Sequence, residues 1–177
     1  LDIYNNISKY SISTAMAVSV MLESFLFYSG FFYPLYLAGN SKLTNSNEII
    51  NLIIRDEAIH GVYVGSIFKK ESNVNEEFIR DTFSKLYEIE LEYCNYLYKN
   101  LGLEDQVKIF IKYNANKAFD NLGLNIPFEN ISYENVNPIV LKGLDTETKT
   151  HDFFSKKGSG YQNPTKVEKV SDDDFDW

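Results

Sequence analysis

The chain has 177 residues, a net charge of −8 and a sequence pI near 4.8, which is enough for one compact domain with a tail and too little for two. That acidity excludes nonspecific nucleic-acid binding, which needs a basic excess to displace counterions from phosphates, so no nucleic acid is expected as a partner. A single cysteine, Cys94, excludes an intramolecular disulfide, and with no leader-like segment opening the chain a reducing cytoplasm is the expected compartment.

The first predicted element is a helix from about Ser13 to Ala38, bent or loosened in its second half by Gly30 and Pro34. Glu23 is the only charged residue between Lys9 and Lys42. A membrane span competes for this stretch on length and apolarity. It would set Glu23 mid-span at about 2.5–3.5 kcal/mol on insertion scales, so a helix buried in a bundle fits better and no membrane is expected.

A polar run from Gly39 to Asn47 reads as a turn. The second helix starts near Ser46-Asn47-Glu48, where Ser or Asn can cap and Glu suits the positive end, and continues to about Lys70. It carries Arg55-Asp56-Glu57-Ala58-Ile59-His60-Gly61. The third, from about Asn75 to Leu101, mixes Phe78, Phe83, Leu86, Ile89, Leu91 and Leu97 with charges and stops at Gly102. The fourth runs from about Glu104 to Asn121 and ends at Gly123.

Beyond Gly123 the helical pattern is lost. The stretch from Asn125 to Gly143 keeps Phe128, Ile131, Val136, Ile139, Val140 and Leu141, which predicts ordered packing against the helices. From His151 the chain turns polar, punctuated by Gly158, Gly160 and Pro164, and ends in Ser171-Asp172-Asp173-Asp174-Phe175-Asp176-Trp177. Residues 1–150 are therefore expected as the helical domain and 151–177 as a flexible tail. Aromatics among aspartates are poor solubilisers and good anchors for a groove on another protein. The Asn-x-Ser sequons at Asn6 and Asn130 carry no weight without a secretory signal.

Glu57 and His60 have the Glu-x-x-His spacing that turns a carboxylate and an imidazole toward one side of a helix. Alone the spacing is common in solvated helices. Glu23 strengthens it, because helical di-metal carboxylate proteins take a Glu from each of two helices and a Glu-x-x-His from each of two others. The midpoint between Glu23 and Glu57 falls at Asn40, inside the polar turn. An antiparallel hairpin with equal arms then sets both carboxylates at similar height on facing helices.

Four stretches in order, Glu23-Ser24-Phe25-Leu26-Phe27-Tyr28-Ser29-Gly30-Phe31, Arg55 to Gly61, Asn137-Pro138-Ile139-Val140-Leu141 with Thr150-His151-Asp152-Phe153-Phe154-Ser155, and the acidic aromatic end, resemble the class Ib ribonucleotide reductase small (beta) subunit. The resemblance covers nearly the whole chain. It implies an all-α, ferritin-like di-metal carboxylate bundle whose di-manganese or di-iron centre generates a tyrosyl radical. That radical starts reduction of ribonucleotides to deoxyribonucleotides in the large (alpha) subunit.

By motif position the resemblance makes Glu23, Glu57 and His60 metal ligands, and Phe27, Phe31 and Ile53 an apolar pocket shielding the radical. Without it, those three read as ordinary core. It makes Asp56 a carboxylate hydrogen-bonded to the metal site and radical route, and Tyr161 the relay between subunits. Asp172, Asp173, Asp174, Phe175, Asp176 and Trp177 become the peptide that docks on the large subunit. It further implies a flavodoxin-like activator for manganese loading and a homodimer of the completed small subunit.

The chain also departs from the family pattern. Its only other histidine, His151, has Thr148 rather than Glu three residues before it, so an earlier carboxylate ligand, an earlier Glu-x-x-His and the radical tyrosine are all missing. Tyr63 follows the wrong Glu-x-x-His and reads as a packing residue. The chain is thus expected to be the C-terminal half of such a subunit, needing an N-terminal half as partner. An intron or intein, a natural split and a truncation are all compatible. Few arginines against abundant Lys, Asn and Ile suggest AT-rich coding DNA, as in a low-GC bacterium or its phage. Two other readings stand beside this one: an inactive remnant or interaction module that binds the large subunit, and another di-iron carboxylate oxidase or metal store.

Overall fold

The computed structural model describes residues 9–71 and 73–144. These lie in the first of two units into which the chain divides, Leu1–Thr146; the second, Glu147–Trp177, falls outside the described residues. Every regular element among the described residues is helical: α1 (Ile12–Ser24), α2 (Tyr28–Gly39), α3 (Thr44–Phe68), α4 (Glu76–Tyr98), α5 (Glu104–Leu122) and α6 (Pro138–Leu144), with 3-10 turns at Lys99–Leu101 and Tyr133–Asn135.

Ser11 opens α1 by accepting the Thr14 N–H at 3.2 Å. A largely apolar helix must bury most of its surface, and in α1 Ala17, Val20 and Met21 are fully buried where it packs on α3 and α5. The single long helix expected over 13–38 does not form. It breaks at Phe25–Phe27, where Phe27 takes left-handed φ of 68°, and α2 then runs unbroken through Gly30 and Pro34. The stretch Ile12–Gly39 is long and apolar enough to cross a membrane by composition. Here the break divides it, and Phe25, Phe32 and Leu35 lie in the protein core.

The second helix starts earlier than its capping residues suggest. Leu43, at φ 51°, leads into α3 with no side-chain cap, because Asn47 is turned inward. Its amide donates to the Gly143 carbonyl at 2.7 Å, joined there by Asn51 at 3.1 Å. That carbonyl belongs to α6, the helix where loss of pattern predicts none. Proline is tolerated in the first turn of a helix, and Val136 and Val140 supply the buried contacts. A Cβ at Gly39 would collide with the Ile139 carbonyl, and one at Gly143 with the Leu35 carbonyl. These two glycines let α6 lie directly on α2.

Elsewhere the expected ends hold. Asn75 caps α4 by accepting the Phe78 N–H at 3.0 Å, Gly102 (φ 63°) follows the 3-10 extension of α4, and Gly123 (φ 70°) closes α5. The side chain of Asn116 bonds Phe128 and Ile131 and holds the following loop against α5. At the centre, Phe119 meets Phe83 edge to face at 4.9 Å, and Phe32 meets Phe110 at 5.8 Å and Tyr98 at 5.9 Å. Each such ring removes enough apolar surface to contribute about 1.5–3 kcal/mol.

Candidate metal centre

Glu23 stands in the last turn of α1, and Glu57 and His60 one turn apart on α3. The imidazole Nδ1 of His60 is 3.6 Å from a Glu23 oxygen and 3.5 Å from a Glu57 oxygen. One ligand atom from each of the three lies within 4.8 Å of the others. Local packing produces the convergence. Gly61, beside His60, faces the Ser24 hydroxyl, and Gly65 faces the Asn121 backbone, each with no room for a Cβ. The two glycines are four apart and share a face, so α3 closes on α1 and α5 along it and brings its carboxylate to Glu23.

The electrostatics are those of an anionic cluster. Glu57 holds the Glu23 carboxyl above its ordinary range through a shared hydrogen bond, reinforced by partial burial and like charge, while His60 pulls the other way. Burial, with the same two carboxylates, raises the Tyr28 phenol; its hydroxyl donates to the Glu23 carbonyl at 3.1 Å. A divalent cation placed among the three relieves this repulsion. Carboxylate oxygen and imidazole nitrogen suit Mn and Fe. The residues present therefore fit one side of a metal centre. Sequence reasoning places Glu23 as a buried charge, yet the side chains of Glu23, Glu57 and His60 are 31, 32 and 60% exposed. The site lies on an outward face of the helix pair rather than inside it.

The other predicted site residues divide. Phe27 and Ile53, one turn from Glu23 and Glu57 respectively, are both exposed, so neither behaves as core. Phe31 is half-buried against the Tyr28 ring at 5.3 Å. Tyr63 is 65% exposed rather than packed, because it points from the same open face. Asp56 is exposed, and among the described residues no hydrogen bond or ion pair joins it to Glu23, Glu57 or His60. Tyr161, His151 and Asp172 to Trp177 lie outside the described residues.

Two residues escaped the sequence reading. Tyr28 was hidden among apolar neighbours. Glu90, fully buried in α4, accepts the N–H groups of Phe27 and Ser29, both at 2.9 Å. A signal for it existed: Ile79, Phe83, Glu90, Cys94 and Tyr98 form the buried stripe of α4, and Glu90 is its one acid.

Comparison with known proteins gives the family of the chain. The model for "Ribonucleotide reductase, small chain" matches residues 1–138. The chain is 57% identical over 173 aligned residues to ribonucleoside-diphosphate reductase subunit beta of Bacillus subtilis, covering 93% of this chain and 51% of that protein. With the subunit beta of Bacillus phage SPbeta it shares 52% identity, covering 99% of this chain and 55% of that one. The crystal structure of the dimanganese(II) NrdF of Streptococcus sanguinis superposes with a TM-score of 0.74 at 45% identity, over 81% of this chain and 53% of that chain. The chain thus spans about half the length of the curated relatives it matches. On the matched residues and the solved neighbour, it belongs to the ribonucleotide reductase small-chain family and has that family's all-helical fold.

Proposed function

We propose that this chain is the C-terminal half of a class Ib ribonucleoside-diphosphate reductase small subunit, and that Glu23, Glu57 and His60 hold part of its di-metal centre, of manganese or iron. The observation that carries the reading is the convergence of these three donors from two helices onto an open face. An N-terminal half supplies the remaining ligands and the radical tyrosine. The bound centre provides the one-electron oxidation from which the tyrosyl radical arises.

This chain's own residues serve that chemistry by holding and enclosing it. Carboxylates can shift coordination mode as oxidation state changes. Phe27, Phe31 and Ile53 exclude water and hydrogen donors once the complementing half covers them. Asp56 lies on the radical route, Tyr161 carries the radical to the large subunit, and Asp172 to Trp177 dock there. A flavodoxin-like activator serves manganese loading, the completed small subunit is a homodimer, and the complex works in the cytoplasm.

The test is electron paramagnetic resonance of this chain co-purified with a matching N-terminal half after loading with Fe(II) and oxygen. A tyrosyl radical that vanishes in Glu57→Ala or His60→Ala is the expected result. No association and no radical, with the complementing half folded, overturns the reading in favour of a remnant.

A further inference from the structure

Six consecutive backbone N–H groups at the α1–α2 junction have identified acceptors, and two of them depend on one distant side chain. Phe25 and Leu26 both donate to the Met21 carbonyl at 3.1 Å, Tyr28 donates to Phe25 at 3.1 Å and Gly30 to Phe27 at 2.9 Å. Phe27 and Ser29 have no backbone acceptor; each takes one oxygen of Glu90, from α4. A buried N–H without a partner costs about as much as a lost hydrogen bond. In a straight helix these two groups would instead donate to the carbonyls of Glu23 and Phe25.

The segment therefore has two ways to satisfy its backbone, and Glu90 selects one. In the broken form the carbonyl of Glu23 is left to the Tyr28 hydroxyl, and Phe27 is held in left-handed backbone conformation. That conformation is unfavourable for a bulky non-glycine residue and persists only where its surroundings impose it. The left-handed residue is four positions from Glu23, and it is Phe27, whose side chain emerges on the open side of the fold. A carboxylate spanning the first N–H groups of α2 is also favoured by the positive end of that helix. Tyr98, two turns along the same face of α4, donates to the Ser29 carbonyl and ties the same turn.

A fully buried carboxylate is costly where apolar packing would serve. Glu90 interrupts an otherwise apolar stripe at the place where the α1–α2 junction needs two acceptors. We propose that Glu90 is a positioning residue: by holding the break between α1 and α2 through the Phe27 and Ser29 amides, it sets where the Glu23 carboxylate and the Phe27 ring stand at the metal site. This rests on the metal reading of Glu23 only for its consequence; the break itself is carried by the two Glu90 hydrogen bonds and the left-handed Phe27.

The experiment compares the full chain with Glu90→Ala and with Glu90→Gln, which keeps the volume and one carbonyl acceptor. Backbone and side-chain NMR of the metal-free proteins is read first. In Glu90→Ala, exchange of the Phe27 and Ser29 amides should rise at least tenfold, the Phe27 Cα shift should leave its left-handed value, and contacts between the Glu23 and His60 side chains should be lost. Glu90→Gln should fall between, and it decides the question if Glu90→Ala does not fold. Mn(II) titration followed by electron paramagnetic resonance should then show affinity about 10–100-fold weaker in Glu90→Ala, the effect usual for partners that orient metal ligands.

Unchanged amide protection, or intact Glu23–His60 contacts beside fast exchange, overturns the proposal and leaves Glu90 a packing residue. A wild-type chain that holds no Mn(II) counts against the three-donor site alone, and the NMR comparison still decides the role of Glu90.

Discussion

Two sides of the α1–α3 pair carry apolar residues and meet opposite fates. On one, Val20, Met21 and Phe25 disappear against α5 and α4, and Phe32, Phe110 and Phe119 complete the core. On the other, Ile49, Leu52 and Tyr63 stand 52–65% exposed, with Phe27 at 60%. The Glu23–Glu57–His60 cluster opens on this second side. Large apolar side chains left exposed along one side of a helix suit contact with another protein surface. The contrast teaches that hydrophobicity specifies that a face is to be covered, and that the covering element need not lie in this chain.

The largest effect expected from breaking the closed side is Phe119→Ala. It leaves a cavity where Phe83 and the Arg80 guanidinium contact the ring, and should cost about 3–5 kcal/mol in urea unfolding. A loss under about 1 kcal/mol would mean the core is not packed as described. Next comes Gly65→Ala, whose methyl would meet the Asn121 backbone. Overpacking of this kind costs about 1–3 kcal/mol. Because it also pushes α3 from α5, Mn(II) binding should weaken in parallel; loss of stability with affinity retained would separate helix packing from ligand placement.

Glu23→Gln sharpens the contrast in the other direction, with a smaller effect on the fold. The folded-state pKa of Glu23 is raised above its ordinary value near 4.5. Its stabilising contribution is thus complete below about pH 4.5 and lost as pH rises through the folded value. A glutamine does not titrate. The metal-free variant should match wild type near pH 4 and exceed it at pH 7 by up to about 1 kcal/mol, while losing Mn(II). Thermal melting in chelator at the two pH values checks this, and an equal gap at both would refute the electrostatic account. The smallest effect on the isolated chain is that of Leu52→Ser, within about 0.5 kcal/mol because the residue is exposed. The same change should weaken association with the complementing half, measurable by co-purification or calorimetry.

Much of the fold could be read in advance where local rules act alone. Asn75, Gly102 and Gly123 mark helix ends because a side-chain oxygen or freedom at positive φ decides those ends locally. Glu57 and His60 share a face by helical period, and they meet Glu23 as the hairpin reading expects although the arm that carries Glu23 is broken at Phe25–Phe27. The first helix misled because Gly30 and Pro34 are the weak residues in sequence, whereas the break forms where a carboxylate from α4 offers acceptors. The short α6 was missed because its support comes from Asn47 and Asn51 on α3, far away in the chain.

What the sequence determined by itself was helical class, the ends set by caps and glycines, and the pairing of carboxylates with an imidazole, because each depends on residues within a turn or on the length of two arms. Only the tertiary structure decided that the chain breaks between α1 and α2 at Phe25–Phe27, that Glu90 is buried beneath that break and that the Glu23–Glu57–His60 cluster faces outward. Those outcomes depend on which distant groups satisfy buried backbone donors and which faces find a partner, and neither is encoded in the period of any one helix.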